Sequence, residues 1–127
     1  MLEKILRKYE AIWLHCGDSL ILVDVESERL LDANPQVEYL LKRSLNDIRR
    51  LHYTALHPTD QLHQTQRAFG NPEITIDLDI LRPDGTQIPV QISTGTFLDD
   101  NGHLLAVENL HYHRAHLNSA LIINSDL

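Results

Sequence analysis

Hydrophobic residues recur every three or four positions along the first sixteen: Leu2, Ile5, Leu6, Tyr9, Ile12, Trp13 and Cys16. That spacing draws an apolar stripe down one face of a helix, with Glu3, Lys4, Arg7, Lys8 and Glu10 opposite. Such a helix can lie on its own domain's sheet. It can also form a dimer seam through Leu2, Leu6, Tyr9 and Trp13, which stand at heptad-like spacing. Two heptads are too few for a free-standing coiled coil, so both uses are expected together.

From residue 17 the pattern changes. "SLILVDV" reads as a short buried strand, "ESE" as a turn and "RLLDA" as a second strand, which together make an antiparallel hairpin. In "ANPQVEYLL", Asn34 suits a helix N-cap and Pro35 the first helical position, with Val37, Leu40 and Leu41 facing inward. Ser44 with Asp47 three residues on is a capping-box pattern that opens another short helix. After "FGNP" the period becomes two. "EITIDLDIL" alternates Ile74, Ile76, Leu78 and Ile80 with Thr75, Asp77 and Asp79, as a half-buried antiparallel strand does. The turn "RPDG" leads into "TQIPVQISTGTFL", and "DDNG" into "HLLAVENLHY". Pro89 has no amide donor, so it must stand where no ladder bond is required. The strands are not interleaved with helices one by one, and the class is α+β with an antiparallel sheet.

Composition narrows the function. A chain of 127 residues fits one domain with a real core. The net charge of -7 argues against nucleic acid as a partner, because phosphate binding needs clustered Lys and Arg. No apolar run approaches the roughly 20 residues that cross a bilayer, and the charged opening is no signal peptide. The reading is therefore cytoplasmic, without a membrane partner. Cys16 is the only cysteine, so neither an internal disulfide nor a Cys-based zinc site can form. Ser19, Ser27, Ser44 and Ser93 lack a nucleophile elbow, and no Gly-rich loop cradles phosphate. A small cone-shaped α+β enzyme is the rival class. It needs a buried acid or base beside an apolar pocket, and alternation puts Asp77 and Asp79 on the solvent side.

Read in order, "GDSLILVDVESERLLDANPQVEYLL", "LHPTD", "LRPDGTQIPVQIS" and "LDDNGHLLAVENL" resemble the PAS (sensory box) family over residues 17–111. Asp24 closing the first strand, Asn34 opening the first helix, the step His57-Pro58-x-Asp60 and the Asp84-Gly85 hairpin carry the likeness. The chain departs from the family at Pro35-Gln36 after Asn34, at Lys42 where a glycine is usual, and at Asn109-Leu110-His111 where Asp-Ile-Thr is common. The resemblance implies a five-stranded antiparallel sheet with short helices on one face and an N-terminal amphipathic helix. It divides the chain into that helix (1–16), a PAS domain (17–111) and a C-terminal linker helix (112–127) leading to an absent output domain. The implied role is a non-enzymatic sensory or interaction module in signal transduction. It would bind a small ligand or a partner, form a homodimer, and act on an output domain of the diguanylate cyclase or histidine kinase type.

The eight histidines bear on the cofactor. In "LHYTALHPTDQLHQ" the family likeness makes His57 a turn residue before the long helix that walls the ligand cavity, with Thr59 or Asp60 as cap. His63 falls one turn into that helix. Haem-binding relatives carry their iron-ligating histidine on this helix, so His63, with His57 beside it, is the position a haem would use. That reading ranks below a structural role, and the cofactor is left open. Zinc through His52, His57 and His63 is weaker, since spacings of five and six do not share a helical face. A flavin–cysteine adduct is excluded, because Cys16 lies outside the core. His111, His113 and His116 read as a polar linker, and residues 112–122 as a mobile output helix with Ala115, Leu117, Ala120 and Leu121 on a thin apolar face.

Overall fold

The structure, a computed structural model, describes residues 2–112. Helix α1 (Leu2–His15) precedes β1 (Ser19–Asp24) and β2 (Arg29–Ala33). Then come α2 (Pro35–Leu41), α3 (Leu45–Ile48), two 3-10 turns (Tyr53–Leu56 and Thr59–Gln61) and α4 (Leu62–Ala68). Strands β3 (Ile76–Leu81), β4 (Gln87–Leu98) and β5 (Leu104–Tyr112) complete a single sheet in the order β2-β1-β5-β4-β3. Every neighbouring pair is antiparallel, and β5 returns to the centre beside β1.

Alternation decides which face is the core. Ile21, Val23, Leu78, Ile80, Ile88, Val90, Ile92, Ala106 and Leu110 are buried on one face of the sheet. Val37, Leu40 and Leu41 of α2, Ile48 of α3 and Ala68 of α4 pack in the same cluster. Each buried aliphatic side chain contributes about 1.5–3 kcal/mol, and this packing sustains helices as short as the four residues of α3.

Several local readings are corrected. Asn34 stands at the N-cap position of α2, yet its side chain makes no cap bond. Instead Oδ1 accepts from the Leu20 amide at 3.0 Å and Nδ2 donates to the Asp18 carbonyl at 2.9 Å. The residue is fully buried and ties the start of β1 to the end of β2. Neither Thr59 nor Asp60 caps the next segment, where Pro58 holds the N-cap position. Strand β3 begins at Ile76, because Asn71 first turns the chain by accepting the Glu73 amide on its own side chain at 3.0 Å. The helix expected to be long is a 3-10 turn followed by the seven residues of α4.

Two features of the sequence, one of them a departure from the family pattern, gain a physical account. Lys42 ends α2 in the left-handed conformation (φ 55°), the geometry a glycine takes without steric cost. Pro89 pairs with Asp79 on β3. The Asp79 amide and carbonyl bond to the Gln61 and His57 side chains at the outer edge, so β3 asks no ladder bond of Pro89.

Helix α1 stands apart from this core. Ile5, Leu6, Tyr9 and Ile12 are exposed, Leu6 by 58% and Tyr9 by 65%, while Trp13 is half-buried. Lying on its own sheet is therefore not the use found for these side chains; that of Leu2 lies outside the described residues. The helix expected over 112–122 falls outside them as well, apart from Tyr112, the last residue of β5.

Candidate functional site

The interior of the domain lies between the centre of the sheet and the segment from Tyr53 to Gly70. Tyr53 and Phe69 stack there with ring centroids 3.8 Å apart and planes 13° from parallel. The remaining cavity is about 10 Å³, with Tyr53, His57, Thr65, Leu78 and Glu108 among its walls, which is hardly room for one water.

His57 stands at the bend before Pro58, as expected of a turn residue, and is buried there at 5% exposure. Its Nδ1–H donates to the Asp79 carbonyl at 2.8 Å. One turn later Gln61 engages the same residue twice. Its Oε1 accepts the Asp79 amide at 2.8 Å, and its Nε2 donates to the Asp79 carboxylate at 2.9 Å. Because β3 is an edge strand, these side chains satisfy backbone groups that have no strand beside them. Burial holds the His57 imidazole below its ordinary value, although the Asp79 carbonyl and carboxylate pull the other way. The ring is neutral at pH 7.

His63 is exposed on α4, and His52 is exposed and bonded to Glu28 at 2.7 Å. The histidines of this stretch therefore do not converge, and no group of three or more His, Cys, Asp or Glu among the described residues is placed to hold a metal. The residues do not fit a haem either. His63 points to solvent, and the interior is occupied by an aromatic stack, whereas pockets for bound cofactors run from about 300 to 1,000 Å³.

One interior residue was missed. Glu108 lies on β5 between Ala106 and Leu110, on the buried face, at 8% exposure. The Gly70 amide donates to its carboxyl, and burial raises that group from 4.5 to about 7. The sequence did carry a signal, since Ala106, Glu108 and Leu110 alternate in one inward register and only Glu108 is charged. The rival enzyme reading asked for a buried acid or base, and Glu108 and His57 supply both. A substrate has no space beside them.

At the sheet's open end a wider groove of about 790 Å³ is lined by Tyr39, Lys42, Arg82 and Tyr112 among others. Lys42 lies over the Tyr39 ring, 4.3 Å from its centroid, and Arg82 Nε donates to the Leu40 carbonyl at 2.8 Å. Asp18 sits at the same end. Its carboxylate accepts from Asn109 Nδ2 at 3.2 Å and pairs with His111 Nδ1 at 3.0 Å. This carboxylate, on the linker between α1 and β1, meets the end of β5 from outside the sheet's strands.

The comparisons agree with this architecture. A domain of the sensory box sensor histidine kinase/response regulator from Geobacter sulfurreducens is similar at 19% identity, covering 85% of this chain and 96% of that one, with a TM-score of 0.64. A PAS domain from Colwellia psychrerythraea matches at 19% identity over 87% and 99%, with a TM-score of 0.69. A LOV protein from Rhodobacter sphaeroides matches at 18% identity over 90% and 70%, with a TM-score of 0.65. At such identities these likenesses establish the fold alone. No curated protein matches. No helix among the described residues is long and apolar enough to cross a membrane. The PAS domain profile matches residues 17–111, the greater part of the chain, and the chain belongs to the PAS family.

Proposed function

We propose that this chain is a non-enzymatic sensory and interaction module that works as a cytoplasmic homodimer seamed by α1. Its state passes to an output domain of the histidine kinase or diguanylate cyclase type. The observation that carries the reading is a pairing of opposites: a filled interior beside the exposed apolar stripe of Ile5, Leu6, Tyr9 and Ile12. A second copy of the same helix is the natural cover for a stripe at heptad-like spacing. The histidine kinase setting is carried over from structural neighbours that are domains of sensor histidine kinases.

Asp18 gives the seam a route to the rest of the fold. From the linker after α1 it bonds Asn109 and His111 near the end of β5, so repacking of α1 pulls on the strand at its exit. Input is then a change in packing between copies, in preference to occupancy of a pocket.

Native mass spectrometry with an absorbance spectrum of freshly purified protein tests the reading. A dimer without a bound small molecule or visible chromophore is expected. A monomer carrying a stoichiometric ligand would move the input into the interior and overturn it.

A further inference from the structure

Glu108 occupies the middle of the central strand pair, with Ile21 opposite on β1 and Thr94 opposite on β4. Directly paired residues share a face, with Cβ atoms roughly 4.5–5.5 Å apart. Thr94 Oγ1 is buried and makes no hydrogen bond. The hydroxyl on the residue across from Glu108 is thus not bonded to the carboxyl, which gains no donor from β4. On the other side the Gly70 amide donates to that carboxyl from the turn after α4. Gly70 adopts φ +63°, and a Cβ there would meet both Val25 methyl groups at 3.0 Å, so this turn is built to bring a bare backbone close.

The ionisable groups facing Glu108 across the cavity are Tyr53 and His57. Burial raises the Tyr53 phenol, with Glu28 and Glu108 adding to the effect. The His57 ring is kept neutral by burial, with Nδ1–H committed to Asp79. Ile21, Leu78, Ile92 and Leu110 make up much of the remaining wall. No cation among them can offset a carboxylate, and about 10 Å³ leaves no space for hydrating water.

We propose that Glu108, set against the Gly70 amide, is an interior proton-binding site, and that losing the proton loosens the turn after α4 from the central strand. In the neutral form the acid's carbonyl oxygen accepts from Gly70 and the group needs no counter-charge. Release sends the proton to solvent and leaves a carboxylate with one neutral donor and no counter-charge. The ion then draws water inward, and the Phe69–Gly70 turn is the cover that must yield. This holds whether or not α1 forms a dimer seam.

The folded state binds this proton more tightly than the unfolded chain, since burial moves the group from 4.5 to about 7. The linked stability is full below the unfolded value and is lost as pH rises through the folded one. Across that window the folding constant falls by up to about 300-fold.

Carboxyl carbon NMR on the intact protein reads the site directly. The Glu108 signal should titrate with a midpoint near 7, and the Gly70 amide should follow it; a midpoint near the ordinary 4.5 overturns the proposal. Urea unfolding of Glu108→Gln between pH 5 and 8.5 should lack the parent's loss of stability, with Gly70 amide exchange no longer accelerated above the midpoint. An unchanged pH profile would also overturn it. If the variant does not fold, the titration of the parent protein still decides.

Discussion

His57 Nδ1 donates to the Asp79 carbonyl at 2.8 Å while Gln61 takes the Asp79 amide, so two side chains stand in for a missing strand at the edge of the sheet. Replacing His57 with Ala leaves a buried carbonyl unpaired and opens a hole, at a cost of roughly 2–4 kcal/mol. Urea unfolding at pH 7.5 measures it. Gln61→Ala should be milder, and the double variant should be non-additive by more than about 0.5 kcal/mol, since both act on Asp79.

The same bond has a pH signature. The folded His57 resists protonation, so the unfolded chain takes up the proton first as pH falls below about 6.5. Stability from this group is full above that value and declines toward lower pH. His57→Leu should flatten the acid side of the stability profile, whatever it does to stability at pH 7.5. A profile with the same acid slope would mean the ring is not buried neutral.

Asn34 uses both ends of its amide, accepting from Leu20 and donating to the Asp18 carbonyl. Asn34→Asp keeps the acceptor but sets a carboxylate oxygen against a carbonyl. It should cost about 2–4 kcal/mol at pH 7 and recover part of that on acidification, when the acid can donate. Thermal melts at pH 4.5 and 7 provide the comparison.

Haemin binding should not depend on His63, which is exposed on α4. Titration of the parent and of His63→Ala should give the same spectra, with no Soret band that the substitution removes. Loss of such a band in the variant would restore His63 as an iron ligand.

Most of the fold could be read from periodicity, because one-faced burial writes itself into alternation at Leu78, Ile80, Val90 and Ile92 and into three-four spacing at Val37, Leu40 and Leu41. Side-chain-to-backbone bonds left no comparable trace. Asn34 and His57 each stand beside a proline in a setting where a local cap or turn is the ordinary use, and each instead reaches 14 to 22 residues along the chain. Sequence spacing cannot report such partners. Glu108 could have been found by placing "AVENL" in its inward register, whereas the filling of the interior by Tyr53 against Phe69 depends on how the short helices fold over the sheet.

Analytical ultracentrifugation of the parent protein and Leu6→Glu tests the dimer seam most directly. Leu6 is 58% exposed in the single chain, so the substitution leaves the core untouched and puts a charge on the stripe. A parent that sediments as a dimer, with the variant shifted to monomer at equal concentration and unchanged melting of the domain, is the expected result. A parent that is monomeric at high concentration, or a variant that remains as dimeric as the parent, would contradict a seam through α1.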